Sequence, residues 1–290
     1  MINFIKKHKK FVIVSSVIFA VLLTLIILVF TLFSLKSVSL NFKTETNYLT
    51  AEVQQEIVDE VHSQGIRSVL FVRKNNVISN LEKEFPYLKI INIETTYPSG
   101  FIIHCIEREE LFAIESGDKV YYLDEEMKIL RIEEGSFIKT ATNAVLLNIA
   151  DLNLNIQNAE EGQFINFGNS DNDAVSALAN RIQSTLTSVL TAFEENNRNI
   201  AFVRANYESF KINLKLQSDS VEWFVWLTVT DNLGFKTEIV ESNAELSEKI
   251  GIMLFVVGDL ATNEPEKLLT HRLTIFKNIS GDLNYLLENQ

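Results

Sequence analysis

The segment from Phe11 to Leu35 restricts what this chain can fold into more than any other part of it. Its 25 residues include no charged side chain, no Pro and no Gly. A helix of that length extends about 37 Å, which is enough to cross a ~30 Å hydrocarbon core. Lipid offers no partner for backbone N–H and C=O groups, so a spanning segment of this kind must be helical. Residues 11–35 therefore predict a transmembrane helix.

The charges on either side of this segment predict its orientation. Four Lys residues lie among the first ten, whereas Lys36 alone follows closely. By the positive-inside rule, residues 1–10 form a cytoplasmic tail and residues 36–290 lie outside the membrane. A cleaved signal peptide would instead have an apolar region of about 7–15 residues and a small-residue cleavage site. The sequence Phe33-Ser34-Leu35-Lys36 lacks such a site, which favours a permanent anchor.

The charge and Cys content of the chain exclude several classes of protein for residues 37–290. The chain has a net charge of −12, yet its first 36 residues contain five Lys and no acidic residue. Residues 37–290 therefore carry 21 basic and 38 acidic side chains, a net charge of −17. Nucleic-acid binders normally present a basic field, so this balance argues against that class. A single Cys excludes an intramolecular disulfide and a Cys-based zinc finger.

Residues 36–112 predict a first outer domain with the order β-α-α-β-β. Ser37–Phe42 alternates apolar and polar side chains, as a half-buried strand does. Two short helices follow: the first begins near Thr50, and the second ends before Pro86. The turn Pro98-Ser99-Gly100 separates two β-branched runs and indicates a hairpin.

Residues 113–278 predict a second, mixed β-rich domain, so the fold class is α+β. Two long amphipathic helices are predicted over Ala174–Glu195 and Asn243–Leu260. Leu268–Lys277 is predicted to be the last strand, and residues 279–290 a flexible C-terminal tail. The other predicted strands are Lys119–Leu123, Lys128–Ile132, Asn143–Asn148, Leu152–Ile156, Ile200–Arg204, Ser209–Leu216, Val221–Thr230 and Phe235–Val240.

We find no motif that predicts catalysis or a metal site. His104 and Cys105 are adjacent on a predicted strand, so they point to opposite faces and cannot chelate one ion together. Asp171-Asn172-Asp173 resembles the start of a calcium loop but lacks its later Gly and Glu, so a helix cap is the better interpretation. Spaced zinc-ligand pairs, nucleophile elbows and phosphate loops are absent from the sequence.

Three further groups of residues invite a functional interpretation and have a simpler one. The clusters at 107–110 and 124–126 contain carboxylates that a glycosidase needs in pairs at a defined separation. The sequence does not place them so, and solvated turns are the favoured explanation. Trp223 and Trp226 lie on a strand with two apolar faces, which predicts a central strand covered on both sides. We therefore predict no catalytic residue, no metal site and no cofactor, and a chain that is not an enzyme.

Several motifs, in order behind one anchor, resemble the FtsQ/DivIB family of bacterial cell-division proteins. The segment Tyr97–Arg108 is similar to the family's hairpin ending in Glu-Arg, with one extra residue. Val120–Asp124 resembles its Tyr-Tyr-Leu-Asp strand. Asp231–Ile239 followed by Leu246–Ile250 resembles a later strand and helix. The family's Pro at the 109–113 segment, its Gly after residue 239 and its Pro-x-φ-x-G sequence near residue 146 are missing here.

The resemblance implies a single-pass, non-catalytic scaffold of the divisome. Residues 36–112 would then be a POTRA domain and residues 113–278 the family's β domain. The expected partners are small single-span coiled-coil division proteins of the FtsB/DivIC and FtsL types, together with other divisome membrane proteins. The expected role is to help regulate septal peptidoglycan synthesis. The expected location is the cell membrane at the division septum.

In that family a partner adds a strand to an exposed edge near the C-terminal strand of the β domain. Such an edge can accept a strand because its N–H and C=O groups are unpaired. We therefore expect the partner at the predicted last strand. The alternative is that this strand is core and that the tail covers its edge. The candidate partner-binding residues are Leu269, His271, Leu273 and Ile275 on one face and Arg272, Thr274 and Phe276 on the other.

Two other functions stay open at this point. An anchored receptor or export factor would use its POTRA-like domain on exported polypeptides and would show no septal position. An anchored envelope hydrolase would need a convergent acid/base or nucleophile set, which zymography on cell wall would reveal. Fold-level analogy alone does not decide among these functions.

Overall fold

The computed structural model describes residues 9–64, 66, 68–139, 144–149, 156, 159–167, 173–216, 223–240 and 245–290. The predicted strand at Leu152–Ile156, except for its last residue, lies outside this part of the chain, as do Asp171 and Asn172. The described chain divides into two compact units, Met1–Glu107 and Arg108–Gln290. The predicted α+β class, with an apolar N-terminal helix and β-rich sheets, is confirmed.

The N-terminal helix, α1, comprises Lys9–Leu32. Its stretch Val14–Leu32 has a mean hydropathy of 2.8, and none of it is buried within the protein. Within the described residues it is the one helix long and apolar enough to cross a membrane, a property that signal sequences share. Because water does not favour so much exposed apolar surface, this helix needs an apolar environment.

The rest of the first unit is a three-stranded sheet under two helices. Its elements are β1 (Ser37–Phe42), α2 (Ala51–Ser63), α3 (Lys74–Glu84), β2 (Leu88–Thr96) and β3 (Gly100–Glu107). β3 is central, parallel to β1 and antiparallel to β2. The helices bury one side chain per turn, at Ile57 and Val61 and at Val77 and Leu81, against the apolar face of the sheet.

The second unit is built on a nine-stranded sheet. Its strands are β4 (Phe112–Ser116), β5 (Lys119–Leu123), β6 (Ile129–Glu134), β7 (Val145–Asn148), β8 (Tyr207–Leu216), β9 (Trp223–Asp231), β10 (Lys236–Ile239), β11 (His271–Lys277) and β12 (Leu283–Asn289). Its helices are α4 (Asp173–Glu195), α5 (Ile200–Asn206), α6 (Leu246–Asn263) and α7 (Lys267–Thr270). The strand order across the sheet is 12-11-10-9-8-7-4-5-6.

The main core of this unit lies on one face of the sheet, and a smaller buried cluster of Ala113, Val120, Tyr122 and Ala144 lies on the other. The register aligns Leu227, Ile239 and Ile275 in one row, and all three side chains are completely buried. The next row contains Thr228, Glu238 and Thr274, which point to the other face because strand side chains alternate. The two predicted long helices correspond to α4 and α6, and buried side chains of both belong to the same core cluster as that apolar row.

One predicted strand is a helix. Ile200–Arg204 has the β-branched and aromatic content of a strand, but Ile200–Asn206 forms α5. The Asn199 side chain accepts a hydrogen bond from the Phe202 backbone N–H at 3.0 Å, which satisfies one of the free donors at the helix start. This local cap outweighs the weak strand propensity of the side chains that follow it.

The prediction of a flexible tail over residues 279–290 is wrong for most of its length. Leu283–Asn289 forms β12, antiparallel to β11. A tight turn joins them: the Asp282 N–H donates to Asn278 Oδ1 at 2.9 Å, and Gly281 has φ +87°. Glycine adopts that conformation without the steric cost of a Cβ, so Asn278–Asp282 is a hairpin turn and not the start of a tail.

Candidate functional site

β11 is an internal strand. It pairs in parallel with β10, from Arg272 to Ile275, and antiparallel with β12 along its whole length. Both of its hydrogen-bonding sides are therefore occupied. The prediction that Leu268–Lys277 is the last strand and carries the free edge is wrong, and the alternative, in which the C-terminal residues cover it, describes the structure. The edge lies one strand further on, at β12.

The seven candidate residues have different environments. Leu273 and Ile275 are fully buried in the core, whereas Leu269 on α7 is 68% exposed. His271, Arg272, Thr274 and Phe276 are half-buried. The Arg272 guanidinium lies between Glu288, at 3.1 Å, and Glu238, at 3.8 Å. These side chains therefore support the neighbouring strands, and the structure does not bring them together as one exposed surface.

The backbone N–H and C=O groups of successive β12 residues point alternately toward β11 and away from it. The Asn278 N–H donates to Asp282 O at 2.9 Å and the Gln290 N–H to Thr270 O at 2.8 Å, one bond at each end of the ladder. Antiparallel strands exchange hydrogen bonds at every second pair, so the even-numbered residues of β12 face β11. The N–H and C=O groups that face away belong to Leu283, Tyr285, Leu287 and Asn289.

Within the described residues, no strand pairs with this outer side of β12. The Tyr285 N–H is satisfied locally, by Asn284 Oδ1 at 3.2 Å. Tyr285 and Leu286 are 49% and 48% exposed, on opposite faces of the strand. Leu287 packs against the core cluster and holds the strand in place. The edge thus combines a row of outward backbone groups with an apolar side chain on each face.

The opposite edge of the sheet, at β6, is protected. Backbone hydrogen bonds join Ile129 to the segment 162–163. The Ile129 N–H donates to Gln163 O, and the Gly162 N–H donates to Ile129 O, both at 2.8 Å. The Ile132 N–H donates to Glu161 Oε1 at 3.0 Å. Natural sheets cover or charge their edges in this way to prevent unwanted pairing. Among the described residues, no chain segment covers the outer side of β12 in this way, so β12 is the open edge of the nine-stranded sheet.

The sheet face opposite the main core is open to solvent at β9. Trp226 is 51% exposed, although β9 lies well inside the strand order. The prediction that its strand is covered on both faces is therefore wrong at Trp226. A central position in a sheet protects the backbone ladder but does not by itself bring a covering layer to the second face.

The first acidic cluster contributes to structure in both units. The Glu107 carboxylate accepts hydrogen bonds from the backbone N–H groups of Asn47, Tyr48 and Leu49, at 2.7–3.0 Å, and so fixes the loop before α2. In the second unit, Glu110 pairs with Arg131 at 2.9 Å. The prediction of solvated turns is wrong for these carboxylates. Local sequence does not indicate their partners, which lie 58–60 residues away for Glu107 and 21 residues away for Glu110.

Arg108 and Asp124 form a buried ion pair at the start of the second unit. Their side chains are only 3% and 4% exposed. Arg108 also donates to Glu126 Oε2 at 2.7 Å, and Asp124 Oδ1 accepts from the Lys128 N–H at 2.8 Å. The Arg of the Glu-Arg motif and the Asp of the Tyr-Tyr-Leu-Asp motif therefore serve one purpose, which is to fix the β5–β6 turn.

His104 and Cys105 point to opposite faces of β3, as predicted. The His104 imidazole is 3.3 Å from Glu94 Oε2 on the exposed face. Cys105 is fully buried, and burial raises the pKa of its thiol to about 11. In the part of the chain that the structure describes, no group of three His, Cys, Asp or Glu side chains is arranged to hold a metal ion.

The second unit has an apolar cleft of about 430 Å³ between α5, α6 and the β9–β10 turn. Phe202, Leu233 and Val257 line it, with Asp231 as its acidic group. Burial raises the pKa of the Asp231 carboxyl, although Oδ1 accepts from the Leu233 and Phe235 N–H groups at 2.8 and 3.0 Å. These bonds show that Asp231 shapes the turn that closes one side of the cleft.

No model of a known protein family matches this chain, and no curated protein matches it either.

Proposed function

We propose that this chain is a non-catalytic, single-pass membrane scaffold of the bacterial divisome, of the FtsQ/DivIB type. Its N-terminus would be cytoplasmic and its two outer units extracytoplasmic, at the division septum of the cell membrane. It would bind small single-span coiled-coil division proteins of the FtsB/DivIC and FtsL types, with other divisome membrane proteins. Through them it would help regulate septal peptidoglycan synthesis.

The observation that carries this proposal is the outer side of β12. An extended segment of a partner can add to this strand through the backbone groups of Leu283, Tyr285, Leu287 and Asn289. Main-chain hydrogen bonds give such complexes their affinity, and side chains beside the strand give specificity. Here Tyr285 and Leu286 are available on the two faces. A scaffold needs only such a surface, whereas an enzyme also needs an organised set of reactive groups.

The first unit supports the same proposal through its element order. Its β-α-α-β-β order is the one that the resemblance implies for a POTRA domain. The apolar α1 immediately before it supports the anchor. The carboxylates of Glu107 and Asp124 are engaged in hydrogen bonds and, with Arg108, in an ion pair, and these interactions hold loops. This favours a structural role for them over general acid/base catalysis.

The test compares two substitutions at Tyr285 in the tagged full-length protein. Proline removes the outward Tyr285 N–H, which a partner would have to take over from Asn284 Oδ1, and places its ring where the partner strand would lie. The inward bonds of Asn284, Leu286 and Glu288 to β11 remain. Tyr285→Pro should therefore fold but fail to capture the coiled-coil partners in affinity purification from its cells. Tyr285→Ala keeps the N–H and should retain most of the capture.

This pair of variants separates backbone pairing from side-chain recognition. Capture by a folded Tyr285→Pro protein at the wild-type level contradicts strand addition at β12. Equal loss in both variants would mean that the Tyr285 side chain, and not the strand edge, binds the partner. Thermal unfolding of each purified variant serves as the folding control.

A further inference from the structure

Large side chains are exposed at one end of the first unit. Leu70, Phe71 and Tyr97 are 40%, 71% and 68% exposed. Leu70 and Phe71 belong to the short segment 68–72 before α3, and Tyr97 begins the turn between β2 and β3. A compact group of exposed apolar and aromatic side chains marks an interaction surface more often than a single exposed residue does.

Both segments are attached to the end of α1. The Val69 N–H donates to Phe33 O at 2.8 Å, and the Lys36 N–H donates to Ser99 O at 2.8 Å. The Phe71 ring lies 6.2 Å from the ring of Phe30, between centroids. The Tyr97 ring meets Phe33 edge-on, at 6.4 Å. The exposed group therefore surrounds the point where the chain leaves the helix.

These contacts fix the depth of Phe71 relative to α1. Phe30 lies inside the apolar stretch Val14–Leu32, two residues from its end. At 1.5 Å per residue it is about 3 Å from the end of that stretch. A ring that contacts Phe30 lies at nearly the same depth. With α1 across a bilayer, Phe71 is therefore at the boundary between hydrocarbon and headgroups, where aromatic side chains are favoured.

The charge around this group matches an anionic lipid surface. Residues 68–81 include no acidic residue, although residues 37–290 have a net charge of −17. In this stretch Arg73 is exposed, whereas the Lys74 ammonium donates to Ile93 O at 2.7 Å. Lys36 lies at the helix exit and is exposed. Basic side chains beside a membrane are attracted to anionic headgroups. An acidic protein partner would also complement this basic charge. To cover Phe71 at the depth of Phe30, however, such a partner would have to displace lipid.

We propose that segment 68–72 and the turn 97–99 insert Leu70, Phe71 and Tyr97 into the headgroup region of the membrane that α1 spans. This inference rests on the anchor in the proposed function and adds a second contact with the lipid. The bonds and ring contacts with the end of α1 already place these side chains at the depth of the headgroups. With this interfacial contact, the unit is held against the membrane surface in one orientation.

The experiment places a fluorophore at residue 71 of the full-length protein in lipid nanodiscs. Phe71→Cys is labelled with an environment-sensitive dye, and Ile91→Cys is the matched control. Ile91 is also apolar and 48% exposed, and it is five residues from Thr96 on β2, about 17 Å along the strand. Cys105 is fully buried, so labelling is selective. The discs contain phosphatidylethanolamine and phosphatidylglycerol, with or without a quencher near the headgroups.

We expect the lipid quencher to reduce emission from residue 71 and to leave residue 91 unchanged. Equal, weak quenching at both sites, in protein that co-purifies with the discs, overturns the inference and leaves the anchor intact. Protein that does not incorporate into discs overturns the anchor and this inference together. A dye at Leu70→Cys gives the same comparison if the residue 71 variant does not fold.

Discussion

At the scale of single residues, the buried Arg108–Asp124 pair is the strongest constraint that we find in the second unit. Both side chains are almost completely withdrawn from solvent. Removing one partner leaves a buried charge without compensation, which costs about 3–5 kcal/mol in comparable pairs. We expect Arg108→Met to lower the free energy of unfolding of the purified full-length protein by about that amount, measured by urea titration in detergent.

A surface pair in the same unit provides the control. Lys267 and Glu264 are paired near α7, with side chains 32% and 45% exposed. Exposed pairs of this kind contribute less than about 1 kcal/mol, because water screens them. Lys267→Met should therefore change stability little. If Arg108→Met is no more destabilising than Lys267→Met, the buried pair does not hold the β5–β6 turn.

Asp231 predicts a specific pH dependence. Burial raises the pKa of its carboxyl above the ordinary value of 3.8, so the folded state binds the proton more tightly than the unfolded state does. The contribution of Asp231 to stability is therefore fully present below that value and is lost as the pH rises through the raised pKa. Asp231→Asn keeps an oxygen acceptor for the Leu233 and Phe235 N–H groups and removes the titration.

We expect the stability of Asp231→Asn, relative to wild type, to rise across this pH window. Unfolding midpoints of both proteins at closely spaced pH values measure the difference, and the other carboxyls cancel in the comparison. A difference that does not change with pH would mean that the Asp231 carboxyl is not appreciably desolvated.

The sequence motifs located several important residues without revealing what they do. Glu107, Arg108 and Asp124 were recognised through local patterns, yet their partners lie at long sequence separations. A motif gives residue types and spacing along the chain. It does not give the loop or strand that folding brings to each side chain, so the hydrogen bonds of Glu107 could not be predicted.

At the scale of elements, the turn Asn278–Asp282 determines whether β12 exists. Gly281 has φ +87°, a conformation that a residue with a Cβ adopts at a cost of roughly 1–2 kcal/mol. We expect Gly281→Ala to destabilise the protein by about 1 kcal/mol and to speed hydrogen exchange at the inward-facing amides of β12.

The same substitution at Gly258 should have the opposite effect. Gly258 lies inside α6, and a Cβ there would meet nothing within 4 Å. Alanine is favoured over glycine in a helix by about 1 kcal/mol, so Gly258→Ala should stabilise the protein. Equal effects of the two substitutions would contradict the turn conformation at Gly281.

The elements show where sequence patterns succeed and where they fail. The long helices α4 and α6 have strong apolar stripes and were predicted close to their observed bounds. β12 was missed because Leu283–Asn289 has no strict alternation, and its side chains are mostly exposed on an edge. Strand formation there depends on pairing with β11, which local sequence does not encode.

At the scale of the whole molecule, a single-pass anchor places both outer units on the same side of the membrane. A protease added outside intact cells should degrade residues 36–290 and leave the short N-terminal tail protected, because the four Lys residues before the helix favour a cytoplasmic N-terminus. Immunoblotting with tags at the two ends measures this. Protection of the C-terminal tag in cells with a permeable outer layer would contradict the orientation.

A division scaffold must be found together with its divisome partners in the cell. The most direct test is in-cell crosslinking of the tagged full-length protein, followed by affinity purification and mass spectrometry. We predict recovery of small single-span coiled-coil proteins together with a septal transpeptidase. Recovery of exported polypeptides or cell-wall fragments, without such partners, would contradict the account and would favour an anchored receptor, export factor or hydrolase.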